Sequence, residues 1–264
     1  MEVRSWKFGV TKQQTQNNKH KTHLTSEALA QEVNKHTNTK HKTHQHNTHK
    51  TMELINSNIE DYIQEHSSPV SDILYQLERE TQLKVLRPRM LSGAIQGKLL
   101  ELLIRMSGAK NVLEIGTYTG YSAICMATAL AQDGHIHTID INPELESLAN
   151  KYFKLSNTES KITFHIGDAI EIIPQLKIDF DFIFIDADKT NYLNYFNLLI
   201  DRLPSGAWII ADNVLWSGKV LSDASANDVE TAALKIFNDA IQKDTRVENL
   251  ILSVRDGLMI IRKK

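Results

Sequence analysis

From Met52 onward, apolar and polar positions follow two rhythms that take turns. Residues 54–65 place apolar side chains at helical spacing, and Ser68-Pro69 is the expected N-cap and first position of a second helix running to about Leu83. The segment "SGAIQGKLLELLIRMSG" predicts a third helix that closes at Gly108. Short apolar runs then alternate with longer amphipathic ones. Strands are expected at 111–116, 135–140, 161–168, 180–188 and 206–213. Helices are expected at 119–132, after the Asn142-Pro143 cap, briefly after 168, at 190–203, and from about Asn227 to Lys243.

Strands separated by 10–15 helical residues imply right-handed crossovers and a parallel sheet. The ending departs from this: "NLILSVRDGLMIIRKK" reads as two strands joined through Asp256-Gly257, a strong hairpin signal. The expected fold is a Rossmann-like, doubly wound α/β sheet of seven mostly parallel strands. Its last strand is antiparallel, and N-terminal helices over 52–108 are added to it.

Composition divides the chain in two. Residues 1–51 hold seven of the eleven His, with nine Lys and Arg against three Asp and Glu, a net +6. Residues 52–264 carry 21 basic against 29 acidic residues, a net −8. The leader repeats "NKHKTH" at 18–23 as "TKHKTH" at 39–44 and lacks an apolar face to bury. Two expectations follow: either Met52 is the natural start, or residues 1–51 form a disordered, low-complexity tail. Its His41, His44, His46 and His49 form a His-rich tract without a defined ligand geometry. One cysteine, Cys125, rules out a disulfide framework and fits a reducing cytoplasm. No run of 18 apolar residues and no N-terminal apolar h-region is present, so no membrane span and no secretory signal are expected.

The candidate chemistry sits at strand ends. The first strand runs into "LEIGTYTGYS", where Gly116 and Gly120 allow a sharp turn close to a ligand. Asp140 ends the second strand, 24 residues beyond Gly116, where a carboxylate can take both hydroxyls of a ribose. That much suits either NAD or S-adenosylmethionine. The G-x-G-x-x-G fingerprint is absent, and Glu114 would sit badly beside a pyrophosphate but suits a ligand with a cationic end. The most apolar run, Phe182-Ile183-Phe184-Ile185, stops abruptly at Asp186-Ala187-Asp188-Lys189, and the fifth strand stops at Asp212-Asn213. If the fourth and fifth strands are neighbours, Asp186, Asp212 and Asn213 converge as hard oxygen ligands suited to Mg²⁺.

"LEIGTYTGYSA", "HTIDIN", "GDAIEIIPQL", "FIDADKTNYLNYF", "ADNVLWSGKV" and "RDGLMII" occur here in the order and spacing of a known family. Residues 85–264 resemble the cation-dependent catechol and caffeoyl-CoA type O-methyltransferases of the S-adenosylmethionine-dependent class I fold, especially their bacterial members. The resemblance implies metal ligands at Asp186, Asp212 and Asn213 and a general base at Lys189. It implies cofactor contacts at Ser92, Glu114, Gly116, Thr117, Ser122, Asp140, Ala169 and Asp188, with Asp168 at a position that varies in the family. Trp216 and Ser217 fall where substrate contacts are expected.

The implied cofactors are S-adenosylmethionine and Mg²⁺, or another divalent cation such as Mn²⁺ or Ca²⁺. The implied partners are a small phenolic acceptor with vicinal oxygens and a second copy of the chain in a homodimer. No position matches the lysine that plant relatives use for an acyl-CoA acceptor, so a free catechol is favoured over a CoA ester. Two other readings stay open. Some bacterial relatives methylate a hydroxyuridine in tRNA, which the net −8 body disfavours and the basic leader favours. The other is a non-catalytic cofactor-binding protein, which the intact Asp186, Lys189, Asp212 and Asn213 argue against.

Overall fold

The computed structural model describes residues 57–225 and 227–264. The predicted leader over 1–51 and the first residues of the predicted opening helix lie outside the described residues. Within the described part, helix α1 spans Ser57–Glu65, α2 Asp72–Lys84 and α3 Gly93–Ser107. The alternating body follows as β1 (Asn111–Ile115), α4 (Tyr121–Ala129), β2 (His135–Asp140), α5 (Glu146–Leu155), β3 (Ile162–Ile166) and α6 (Ala169–Ile172). It continues as β4 (Phe182–Ile185), α7 (Tyr192–Ile200), β5 (Trp208–Ala211), α8 (Val229–Lys243), β6 (Val247–Leu252) and β7 (Leu258–Lys263).

The described residues form one seven-stranded sheet in the order β3-β2-β1-β4-β5-β7-β6. All neighbours pair in parallel except β7, which is antiparallel to both β5 and β6. The strand order reverses between β1 and β4, and this is the place where open α/β sheets bind ligands.

The side chains of β4 show how the two layers are held. Phe182 and Phe184 face one layer with Leu77 of α2, Leu100 and Ile104 of α3 and Met126 of α4. Ile183 and Ile185 face the other with Tyr192 and Phe196 of α7 and Phe237 of α8. All four are buried, each burial contributing roughly 1.5–3 kcal/mol. On α8, buried Leu234, Phe237 and Ile241 form the apolar stripe against the sheet, and Asp228 caps the helix by accepting from the Thr231 amide, 3.1 Å.

Several boundaries differ from the sequence reading. Ser71, not Ser68, caps α2, its side chain accepting from the Leu74 amide at 3.4 Å, and Pro69 stays outside the helix. The Asn142-Pro143 cap opens a 3-10 turn, Pro143–Leu145, before α5 begins. The final hairpin carries a longer connection than a two-residue turn. Its turn runs Val254-Arg255-Asp256-Gly257, closed by the Gly257 amide on the Val254 carbonyl at 3.0 Å, so Arg255 and Asp256 occupy its centre. β4 and β5 are shorter than predicted because their last residues leave the ladder for a cleft. No helix among the described residues is long and apolar enough to cross a membrane.

Gly116 sets the distance between the two central strands. Its φ is +101°, and a Cβ there would collide with the backbone carbonyl of Asp186. Gly116→Ala is expected to cost about 2–4 kcal/mol of stability in urea unfolding, combining a left-handed backbone penalty with a backbone clash. An unchanged unfolding midpoint would contradict this close approach.

Candidate active site

The carboxyl ends of β1, β2, β4 and β5 open into one cleft of about 1820 Å³. That is roughly twice the upper size of an ordinary small-ligand pocket and has room for two reactants. Ser92, Gly116, Thr117, Ser122, Asp140, Ala169, Asp188, Asp186, Lys189, Asp212, Asn213, Trp216 and Ser217 all line it, as does Asp168. Glu114 stands apart from these predicted site residues: it lies behind the cleft wall, fully buried.

Glu114 pairs in register with Thr138 of β2 on an otherwise apolar face. The Thr138 hydroxyl donates to its Oε2 at 2.5 Å, while Thr117 and Thr138 share a 2.5 Å hydrogen bond. Its Oε1 has no hydrogen-bond partner. Burial pushes the Glu114 acid up to about 8, opposed by the nearby Ser122 and Thr138 hydroxyls and assisted by the charges of Asp186 and Asp140. A buried carboxyl with an unused oxygen is the feature that a cationic ligand group would satisfy.

Asp140 is held by two backbone donors. The Tyr118 amide reaches Oδ2 at 2.6 Å and the Asn142 amide reaches Oδ1 at 2.9 Å. Both oxygens keep lone pairs for a diol. Asp168 accepts from the Ile170 amide at 2.8 Å as the cap of α6. Asp188 is fixed by the Tyr195 hydroxyl at 2.5 Å and the Asn191 side chain at 2.6 Å.

Across the cleft, Lys189 joins Asp186 rather than Asp188. Its ammonium donates to Asp186 Oδ1 at 3.1 Å and to the Tyr192 hydroxyl at 2.7 Å, and its side chain is only 7% exposed. The Tyr192 hydroxyl in turn reaches the Asp212 carbonyl at 3.1 Å. Asp212, 3% exposed, accepts from the Gln96 side-chain amide at 2.7 Å and from the Asn213 backbone amide at 2.7 Å. Burial raises its acid well above the usual carboxylate range, and the neighbouring charge of Asp186 pushes the same way.

The loop after β5 holds three non-glycine residues at positive φ: Asn213 at 58°, Trp216 at 49° and Ser217 at 53°. The Trp216 ring lies 5.8 Å from the ammonium groups of both Lys189 and Lys219, and its buried indole N–H lacks a partner. The Ser217 amide donates to Asp256 of the final hairpin turn.

Sequence reasoning missed Gln96, Tyr192, Tyr195 and Arg255. Gln96 left a signal: it falls on the buried stripe of α3 with Leu100 and Ile104, and a polar residue there demands a partner. Tyr192, Tyr195 and Arg255 left no local signal, since the contacts that matter to the site join them to residues outside their own pattern.

A family model described as O-methyltransferase matches residues 64–264. The chain is 36% identical over 221 residues to the caffeoyl-CoA O-methyltransferase of Zinnia elegans, covering 73% of this chain and 90% of that protein. It is 38% identical over 186 residues to the caffeoyl-CoA O-methyltransferase of Medicago sativa, covering 66% of this chain and 75% of that one. The solved O-methyltransferase from Bacillus cereus in complex with SAH is similar at a TM-score of 0.73 and 30% identity, with 78% of this chain and 97% of that chain covered.

The environment of Glu114 makes the ligand-free protein sensitive to pH in a defined direction. The folded state keeps this proton up to about 8, whereas the unfolded chain releases it near 4.5. Between those values the folded state binds the extra proton, so the group's contribution is complete below 4.5 and is lost as pH rises to 8. Glu114→Gln should remove that slope and gain on the order of 4 kcal/mol over the parent at pH 8.5, with little difference at pH 4.5. Parallel unfolding curves of the two proteins across that range would show that Glu114 does not titrate in this way.

Proposed function

This chain belongs to the cation-dependent, S-adenosylmethionine-dependent O-methyltransferase family, and from that premise we propose that it methylates one oxygen of a catechol-like small molecule with a divalent metal ion in the site. The observation that carries the reading is the convergence of Asp186, Lys189, Asp212 and Asn213 on the wall of the same cleft as Gly116 and Asp140. The methyl-donor part is supported by the similarity to a methyltransferase solved with SAH. The acceptor part is supported by the named relatives, since a caffeoyl group is itself a vicinal diphenol.

The donor set fits a hard cation. Burial, and then the charge of Asp186, raise the cost of ionising Asp212, and two carboxylates with an amide oxygen suit Mg²⁺, Mn²⁺ or Ca²⁺. Among the described residues no group of three or more His, Cys, Asp and Glu side chains is placed to hold a metal, so Asn213 and oxygens from outside the chain belong to the proposed set. When bound, such an ion favours the ionised form of the acceptor hydroxyls.

The rest of the work falls to the chain itself. Glu114 would answer the donor's ammonium end from behind the wall, and Asp140 would take its ribose hydroxyls. Ser92, Gly116, Thr117, Ser122, Ala169 and Asp188 complete the donor's bed. Lys189, fixed by Tyr192 and flanked by the Trp216 ring, would take the acceptor's proton as the neutral amine, a form that a divalent cation bound beside it would favour. S-adenosylmethionine, when bound, would supply the methyl group, the C–O bond forming as the C–S bond breaks and its electron pair leaves with sulfur. Trp216 and Ser217 cover the acceptor side, and holding the oxygen in line with the methyl carbon is the positional share of the rate.

Methyl transfer from labelled S-adenosylmethionine to a simple catechol tests the reading. Turnover should require a divalent ion and stop with a chelator, and Asp186→Ala should lower kcat/KM at least about a hundredfold. Lys189→Met should lower kcat about 10²–10⁴-fold while methyl-donor affinity holds. Turnover indifferent to chelator would remove the metal from the mechanism. Donor binding without turnover on any catechol would move the acceptor to another class, a tRNA hydroxyl being the next to try.

A further inference from the structure

Arg255 is a residue whose backbone conformation is costly and whose side chain explains the cost. Its φ is 50°, in the left-handed region that a non-glycine residue occupies only at a cost. From the centre of the final hairpin turn its guanidinium crosses to the start of α3. One terminal nitrogen shares its two N–H groups among the Leu91 carbonyl at 3.1 Å, the Ser92 carbonyl and Gln96 Oε1 at 3.0 Å. Gln96, with no exposed surface, passes the contact on: its Nε2 donates to Asp212 Oδ2 at 2.7 Å.

The chemistry of this chain of contacts is directional. A guanidinium only donates and an ionised carboxylate only accepts, so the group between them must accept at one end and donate at the other. A carboxamide does this; a carboxylate, an ammonium or an alkyl group does not. The flanking groups offer no replacement. Asp212 Oδ1 is already taken by the Asn213 amide, and the Lys189 ammonium is taken by Asp186 and Tyr192. Gln96 is therefore the side-chain donor that sets the rotation of the Asp212 carboxylate about the end of β5. Arg255 locks Gln96 in the orientation that donates.

We propose that Arg255 and Gln96 form a positioning relay that holds the Asp212 carboxylate in its metal-binding orientation and, through the Ser92 carbonyl, ties that orientation to the methyl-donor side of the cleft. The inference rests on the metal reading of Asp212 given above. Neither residue touches the reacting atoms. Each acts through Asp212, as outer partners of metal ligands do, and loss of such partners typically weakens metal affinity 10–100-fold.

The test is divalent-metal affinity measured by calorimetry with Mg²⁺ or by Mn²⁺ spin resonance on the full chain without methyl donor, alongside affinity for S-adenosylhomocysteine. Gln96→Leu, close in size and suited to its apolar stripe, should weaken metal binding about tenfold or more and leave S-adenosylhomocysteine affinity within about twofold. Gln96→Glu keeps the acceptor for Arg255 and loses the donor for Asp212, so it should weaken metal binding at least as much. Arg255→Gly relieves the left-handed backbone, so its melting temperature should hold or rise while metal affinity falls severalfold. Because the two residues act in series, the Gln96→Leu, Arg255→Gly double variant should bind metal no more weakly than Gln96→Leu alone. Metal affinity within twofold of the parent in the single variants, or fully additive losses in the double, overturns the relay and leaves the metal reading intact. A parent protein that binds S-adenosylhomocysteine but no divalent ion overturns the metal reading, and the relay with it.

Discussion

The backbone approach of Gly116 to Asp186 is the constraint on which the site depends. β1 and β4 lie side by side at the reversal of strand order, and there the loops after them turn in opposite directions. Without a side chain at Gly116, the Gly116 loop meets the Asp186 backbone directly. The side of the cleft built on β1 and β2, proposed to hold the methyl donor, is thereby held at a set distance from the acid-rich side, built on β4 and β5. A reaction that joins a carbon on one side to an oxygen on the other needs that distance kept, because misplacement of an ångström costs orders of magnitude in rate.

The second constraint is electrostatic. The central strands β1, β4 and β5 are largely buried on both faces, and the acids they carry, Glu114 within β1 and Asp186 and Asp212 just past β4 and β5, sit where water reaches them poorly. Glu114 and Asp212 bear the cost most plainly, since burial lifts both acids above their ordinary range. The structure offsets part of that cost with neutral donors: threonine hydroxyls at Glu114 and an amide at Asp212. Neutral donors leave the carboxylates available to cations from outside the chain. A close Arg or Lys at each acid would have made the fold more comfortable and the site less useful. Lys189 is the exception, and its second hydrogen bond to Tyr192 holds it at the cleft wall.

Local strain collects around the same place. Asn213, Trp216, Ser217 and Arg255 all lie at positive φ without being glycine, and each belongs to the loop after β5 or to the turn it packs against. The Ser217 amide on Asp256 and the Leu215 amide on the Asp256 carbonyl stitch these two segments together. Backbone strain of this kind persists where surrounding contacts over-determine it, and it clusters where geometry serves function.

The sheet, its alternation with helices, the antiparallel last strand and the strand-end acids were all legible in the sequence, because each depends on side-chain period and local chain length. "FDFIFIDAD" announces a strand buried on both faces that ends at charges, and "LEIGTYTG" announces a turn that comes close to a ligand. The cap of α2 at Ser71 and the centre of the final turn at Arg255-Asp256 were misplaced, since several polar residues competed for each role and packing chose among them. The joining of Gln96 to Asp212 across 116 positions, of Arg255 to Gln96 across 159, and of Lys189 to Asp186 rather than Asp188 was decided only by the tertiary structure. Periodicity reports which face a residue occupies, and chemistry reports what it can bind. Which donor meets which acceptor depends on strand order and the angles at which helices cross the sheet, and those follow from the packing of the whole core.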